Sequence, residues 1–177
     1  MLKRAPIVLA AVIAIATVGL ATPCAALTPS ADLELKGPWA YTQRLDEATN
    51  TIQYMAATPA AEDADVWLLL VCSGTRRVTA SLMHISQFPY ALKFPARITL
   101  RSGEFPVVTV AAGVVQPNQL SIDPAVTRHL MPLLIDGDRV VASISDNDGI
   151  VHDYTFSVQP NDLARDGVAL RCSSGEP

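Results

Sequence analysis

The chain has 177 residues, a length that allows one domain or two small ones. Thirteen lysines and arginines against 17 acidic residues give a net charge of −4, which argues against a nucleic-acid binder held by phosphate contacts. Only 6% of the residues are aromatic and 17% are charged, so a base-stacking platform and a charge-driven disordered chain are disfavoured as well.

The N-terminus carries the three parts of a bacterial secretory signal peptide. Lys3 and Arg4 precede an uncharged apolar run from Ile7 to Leu20, and small residues follow at Cys24-Ala25-Ala26. We therefore expect cleavage after Ala26 and a periplasmic or secreted protein. The apolar run is shorter than the roughly 20 residues that cross a bilayer as a helix. A retained N-terminal anchor and a lipoprotein attached through Cys24 are the alternatives.

Cleavage changes the charge and defines the expected domain. Residues 1–26 contain two of the 13 cations and no acid, so the remaining chain carries 11 basic and 17 acidic residues, a net charge of −6. No later stretch approaches about 18 uncharged apolar residues, so no transmembrane segment is expected after cleavage. The composition predicts an exposed lead-in over residues 27–38, one β-rich domain over residues 39–173 and a tail over residues 174–177.

Short strand-like segments separated by turn residues follow the lead-in. Alternating or continuously apolar patterns predict eight strands, at residues 39–43, 51–56, 66–72, 78–85, 97–101, 105–112, 139–145 and 151–158. In the fifth of these, Ile98 and Leu100 point one way while Arg97, Thr99 and Arg101 point the other, which predicts one solvated face.

Turn and helix signals complete the pattern. Asp123-Pro124 predicts the start of a short helix that Pro132 kinks or ends near Met131. Asn147-Asp148-Gly149 predicts a hairpin turn, and residues 161–170 allow a second short helix. The fold class is therefore mainly β: a single antiparallel β-sandwich or small barrel of about eight strands with one or two short helices.

Two cysteines remain after signal cleavage. Cys72 and Cys172 form an even pair in an exported chain, which predicts one disulfide that closes a loop of 100 residues. Two reduced thiols and a metal pair are the alternatives, although two cysteines without a close Cys or His partner make a poor zinc site.

The sequence contains no recognised catalytic or metal-binding motif. His84, His129 and His152 stand in no metal-ligand spacing, and Asp146-Asn147-Asp148-Gly149 departs from a calcium loop at its first and last ligand positions. We predict no metal, no cofactor and no catalytic residue, and expect a protein that is not an enzyme. A hydrolase whose residues converge in space around His84 or His129 would need two acids or a serine within hydrogen-bond reach of the imidazole.

Two sets of residues are candidates for binding. Arg76, Arg77, Arg97 and Arg101 are predicted to form a basic patch against an acidic partner, or else a solvated sheet face. Aromatic residues are the candidates for contacts with a small ligand or glycan, or else belong to the core: Trp39, Trp67, Tyr41 and Tyr90.

The order of features resembles a family of exported proteins. Trp39 opens the domain, Asp46 and Thr51 follow, and a strand ends in Leu70-Val71-Cys72; then come Arg97-Ile98, Leu133-Leu134, Asp138-Arg139-Val140-Val141, Phe156 and Cys172. This layout resembles the exported β proteins of the VasI/TagO type, accessory components linked to type VI secretion, and more loosely the invasion-associated locus B proteins. The resemblance implies a periplasmic or surface role without known catalysis.

We therefore expect an exported, non-enzymatic β-domain that acts as a protein-binding accessory factor of the cell envelope. The expected partner is an envelope or secretion-system protein and not a nucleic acid. A small-ligand or glycan-binding β-sandwich is the alternative.

Overall fold

A computed structural model describes residues 34–46, 50–72, 77–93, 95–160 and 162–174. The predicted signal peptide, most of the predicted lead-in and Arg76 lie outside these residues. Ten antiparallel strands form one sheet in the order β1-β2-β3-β4-β5-β8-β7-β6-β9-β10. Their bounds are β1 Glu34–Lys36, β2 Trp39–Asp46, β3 Thr51–Pro59, β4 Val66–Cys72, β5 Val78–His84, β6 Arg97–Arg101, β7 Val108–Gln116, β8 Gln119–Ile122, β9 Arg139–Ser145 and β10 Val151–Ser157.

The prediction of a mainly β, antiparallel fold is confirmed, with two strands more than the pattern indicated. β1 lies in the predicted lead-in, where its three exposed residues pair with the start of β2. β8 has only four residues and follows β7 after a register shift between Val114 and Gln116. A strand this short carries too little alternation to be recognised from its sequence.

The sheet curls over one core without closing into a barrel. Ala60, just after β3, bridges to Phe156 in β10, and Ala61 N donates to Thr155 O at 2.8 Å. The inner side chains of both halves of the sheet therefore meet in one buried cluster, which includes Trp39, Leu70 and Phe156. Alternate residues at the end of the chain's last strand also enter this core: Tyr154, Phe156 and Val158 are buried.

Two short helical regions cover the open parts of this core. α1 spans Pro124–Met131, and Asp123 caps it by accepting from Ala125 N at 2.7 Å. Pro132 ends the regular α-helix as predicted, because it has no N–H to donate, and a π-helical turn over Pro132–Asp136 continues the chain. The second region runs from α2 (Asp162–Ala164) through a π-helical turn (Arg165–Leu170) to α3 (Arg171–Ser174).

The predicted disulfide is present. Cys72 at the end of β4 and Cys172 in α3 are bonded, with their Cα atoms 5.7 Å apart. Both cysteines are buried beside the core, so the disulfide joins the last helical region to a central strand.

Candidate functional site

An open groove of about 630 Å³ lies on the outer face of β6 and β9. The predicted alternation of β6 is confirmed: Ile98 and Leu100 are buried, while Arg97 and Arg101 are exposed on the opposite face. The lining residues are Lys93, Pro95, Arg97, Thr99, Arg101, Thr109, Ser143, Ser145 and Val151. We call this surface the basic groove.

A row of polar side chains crosses the floor of the basic groove. Strand register places Thr109, Thr99, Ser143 and Asp153 beside one another on β7, β6, β9 and β10. The hydroxyls of Thr99 and Thr109 lie 2.9 Å apart, and Ser143 Oγ donates to Asp153. The floor therefore offers hydroxyl groups to a ligand between the charged side chains of the groove.

The positive charge of the basic groove is concentrated at one end. Arg101 Nη2 donates to Asp153 Oδ2 at 2.8 Å, and the hydrogen bond from Ser143, followed by this guanidinium, lowers the pKa of Asp153. Among the described residues, Lys93 and Arg97 form no ion pair. Arg101 is partly neutralised, whereas the other two cations are available to an anionic ligand.

Arg77 does not extend the basic groove. The sheet order places β8 and β7 between β5 and β6, so Arg77, just before β5, belongs to another surface. It lines a separate pocket of about 370 Å³ with Arg128 and the buried Cys172. The four arginines predicted as one patch are thus divided: Arg97 and Arg101 lie together, Arg77 lies apart, and Arg76 is outside the described residues.

The two candidate tryptophans are both buried. Trp39 is 1% exposed and its indole N–H donates to Val158 O at 2.9 Å, so it belongs to the core, the second of the two interpretations that its sequence allowed. Trp67 is 5% exposed and belongs to a second apolar cluster on the opposite face of the sheet, formed by Ala40, Met55, Ala57, Trp67, Leu69 and Met83. Its indole Nε1 has no hydrogen-bond partner among the described residues.

The two candidate tyrosines, Tyr41 and Tyr90, also make contacts within the fold. Tyr41 is buried, and its ring approaches Gly167 so closely that a Cβ at that glycine would lie 2.8 Å from two ring carbons. Tyr90 is partly buried, stacks on His152 with ring centroids 3.6 Å apart, and shares a 2.7 Å hydrogen bond with the Tyr154 hydroxyl. Burial, followed by that hydrogen bond, raises the pKa of Tyr90 well above its usual range.

The predicted hairpin turn between β9 and β10 is held by Asp146. Gly149 has a φ of +83°, which glycine adopts without steric cost. Asp146 Oδ1 accepts from Ile150 N at 2.8 Å, and Asp146 Oδ2 lies 2.9 Å from His152 Nε2. The hydrogen bond with His152 is the largest cause that lowers the pKa of Asp146.

Replacing Asp146 with asparagine is expected to destabilise the protein more at pH 7 than at about pH 3. Since the pKa of Asp146 is lower in the folded state, its carboxylate stabilises the fold above the ordinary aspartate pKa of about 4. That contribution is lost as the pH falls through the folded-state pKa. Urea unfolding of wild type and Asp146→Asn at both pH values measures the difference.

Asp148 provides the control because it is an exposed aspartate in the same turn. Asp148→Asn should change the free energy of unfolding little, and by similar amounts at the two pH values. A loss in Asp146→Asn that did not depend on pH would contradict the role of its charge.

His84 has the neighbours that the hydrolase hypothesis requires. Ser86 Oγ lies 3.2 Å from His84 Nδ1, and Asp63 Oδ2 lies 3.8 Å from His84 Nε2. The backbone N–H of Ser86 also donates to Nδ1 at 3.2 Å, so it is not available to stabilise an oxyanion at that serine. Sequence reasoning did not identify this cluster, because the loop after β3 and the end of β5 meet only in the folded sheet.

Comparison with known proteins does not point to a function for this chain. The chain matches no family model, no curated protein and no solved structure. Among the described residues, no helix is long and apolar enough to span a membrane.

Proposed function

We propose that this protein is an exported, non-enzymatic β-domain that binds an acidic segment of another cell-envelope protein through the basic groove. The observation that carries the proposal is the pair of cations, Lys93 and Arg97, that form no ion pair with the described residues beside a row of hydroxyl groups. An exported chain of net charge −6 does not attract acidic partners over its whole surface, so a local cationic groove selects where they bind.

Export is supported by the sequence of residues 1–26 and by the disulfide, since disulfides persist in oxidising compartments. The resemblance of the sequence to VasI/TagO-type proteins supports the accessory role that we propose. The partner's acidic side chains would accept hydrogen bonds from Arg97 and Lys93, and the hydroxyls of Thr99 and Ser143 would contact its backbone.

Reversing the charges of Lys93 and Arg97 is expected to weaken capture of the partner at least about tenfold, because like charges then face the acidic segment. The experiment immobilises residues 27–177 of the wild type and of Lys93→Glu/Arg97→Glu, and quantifies the proteins recovered from an envelope extract. Arg101 is left unchanged because its reversal would place two acids beside each other at Asp153.

Arg77→Glu/Arg128→Glu is the matched control, since it makes the same change in net charge at the other arginine-lined pocket. It should retain wild-type capture. Equal recovery by all three proteins, or no specific protein in repeated wild-type captures, would overturn the proposal.

The alternative is a glycan-binding protein, and the row of hydroxyls at Thr99, Thr109 and Ser143 favours it. It predicts recovery of an acidic polysaccharide in place of a protein. Trp39 and Tyr41 cannot form a stacking surface for a sugar ring, because both are buried. Assay of the captured material for uronic acids separates the two functions.

A further inference from the structure

Three metal-ligating side chains converge at one end of the sheet, away from the basic groove. Asp63 and Asp65 belong to the loop between β3 and β4, and His84 is the last residue of β5. One ligand atom from each lies within 4.8 Å of the others. We propose that Asp63, Asp65 and His84 bind a divalent transition-metal ion, with Zn²⁺ as the ion of choice.

The backbone holds the two carboxylates in this position. Asp63 Oδ1 accepts from Asp65 N at 2.9 Å, and Asp63 O accepts from Val66 N at 3.0 Å, so the loop folds tightly into the start of β4. Asp65 O accepts from Ile85 N at 2.8 Å, which joins the loop to the residue after His84. The relative placement of the ligands therefore depends on main-chain hydrogen bonds and not on flexible side chains alone.

The imidazole is buried and its position is fixed. His84 is 7% exposed, and Asn118 bonds to its backbone on both sides, accepting from His84 N at 2.9 Å and donating to His84 O at 3.0 Å. Nδ1 lies against Ser86, whereas Nε2 forms no hydrogen bond with any described residue and faces Asp63 Oδ2 at 3.8 Å. The ring of a buried histidine whose Nε2 is directed at Asp63, with one donor atom of each of the three residues within 4.8 Å of the others, is the observation that indicates a ligand.

The donor set suits a borderline metal ion. Imidazole nitrogen and carboxylate oxygens bind Zn²⁺ at about 2.0–2.2 Å, and a closure of the exposed Asp65 toward His84 brings the donors to such a shell. Two carboxylates neutralise the charge of the ion. Three protein ligands leave at least one coordination position for water.

Metal binding at Nε2 requires the imidazole proton on Nδ1. Ser86 Oγ, 3.2 Å from Nδ1, is placed to accept that hydrogen bond. The backbone N–H of Ser86, which donates to Nδ1 in this structure, would then donate to water, since Ser86 is exposed. The proton moves from one ring nitrogen to the other and the charge of the histidine does not change. A second hydrogen bond that orients the ring is typical of metal-bound histidines.

Isothermal titration of Zn²⁺ into the metal-free, disulfide-bonded protein tests the proposal. We expect one ion per chain, and a dissociation constant at least about tenfold higher in Asp63→Asn/Asp65→Asn. Asp136→Asn/Asp138→Asn is the matched control, because it removes two exposed carboxylates with the same spacing between α1 and β9, and it should bind as the wild type does.

A spectroscopic readout identifies the histidine without a substitution that risks unfolding the buried position. The ¹⁵N signals of the His84 ring should show Nε2 bound and Nδ1 protonated when Zn²⁺ is added, while the signals of His129 and His152 stay unchanged. The absence of stoichiometric binding, equal affinity in the Asp63/Asp65 variant, or a shift confined to another histidine would each overturn the proposal.

Discussion

Replacing both Cys72 and Cys172 with alanine is expected to lower the free energy of unfolding by about 3–5 kcal/mol. The disulfide closes a loop of 100 residues, for which the chain-entropy model gives about 4.7 kcal/mol of stabilisation. Alanine is preferred to serine because both positions are 3% exposed and a hydroxyl there would need a buried partner. Urea unfolding at pH 7 measures the loss.

Reduction of the wild type separates the covalent bond from side-chain packing. A reductant should lower the stability of the wild type by most of the difference between the two proteins and leave the double alanine variant unchanged. A loss below about 1 kcal/mol in the variant would mean that the fold already holds α3 in place without the disulfide.

Replacing Trp39 with phenylalanine is expected to cost about 2–3 kcal/mol, well above the cost of the same change at Trp67. Trp39→Phe removes the donor to Val158 O, whose residue is fully buried, and leaves a cavity in the core. At Trp67 the indole N–H has no partner among the described residues, so its removal relieves an unfavourable burial that offsets part of the lost packing.

The two tryptophan variants are each other's controls, because the substitution and the near-complete burial are the same. Equal losses of unfolding free energy in urea would show that the hydrogen bond to Val158 contributes nothing measurable. A larger loss at Trp67 would contradict the argument that removal of its unpartnered indole N–H offsets part of the lost packing.

The sequence predicts well whatever depends on neighbours along the chain. Alternation placed Arg97 and Arg101 on a solvated face of β6, Asp123-Pro124 marked the start of α1, and the turn at Gly149 was recognised from its residue types. These features are decided by side-chain periodicity, a helix cap and a left-handed backbone position, all of which act within a few residues.

The sequence does not predict which strands become neighbours. The pattern places Arg97 in one strand and Arg77 just before another, but only the order β5-β8-β7-β6 shows that two strands separate β5 from β6. The cluster around His84 could not be predicted for the same reason, since Asp63 and Asp65 belong to a loop some twenty positions earlier in the chain. Burial likewise decided between the two interpretations of Trp39. The sequence pattern of a strand does not show whether an aromatic residue packs in the core or contacts a ligand.

The bridge between Ala60 and Phe156 has a consequence for the order in which the molecule assembles. The two residues come from opposite ends of the described chain, so this contact cannot form until nearly all of the polypeptide is available. Contacts between residues so far apart in the sequence form slowly, because a long loop of chain must close first. Most neighbouring strands are consecutive in the chain and can pair earlier. This closing contact therefore comes late, and until it forms the apolar inner faces of the sheet are open to solvent.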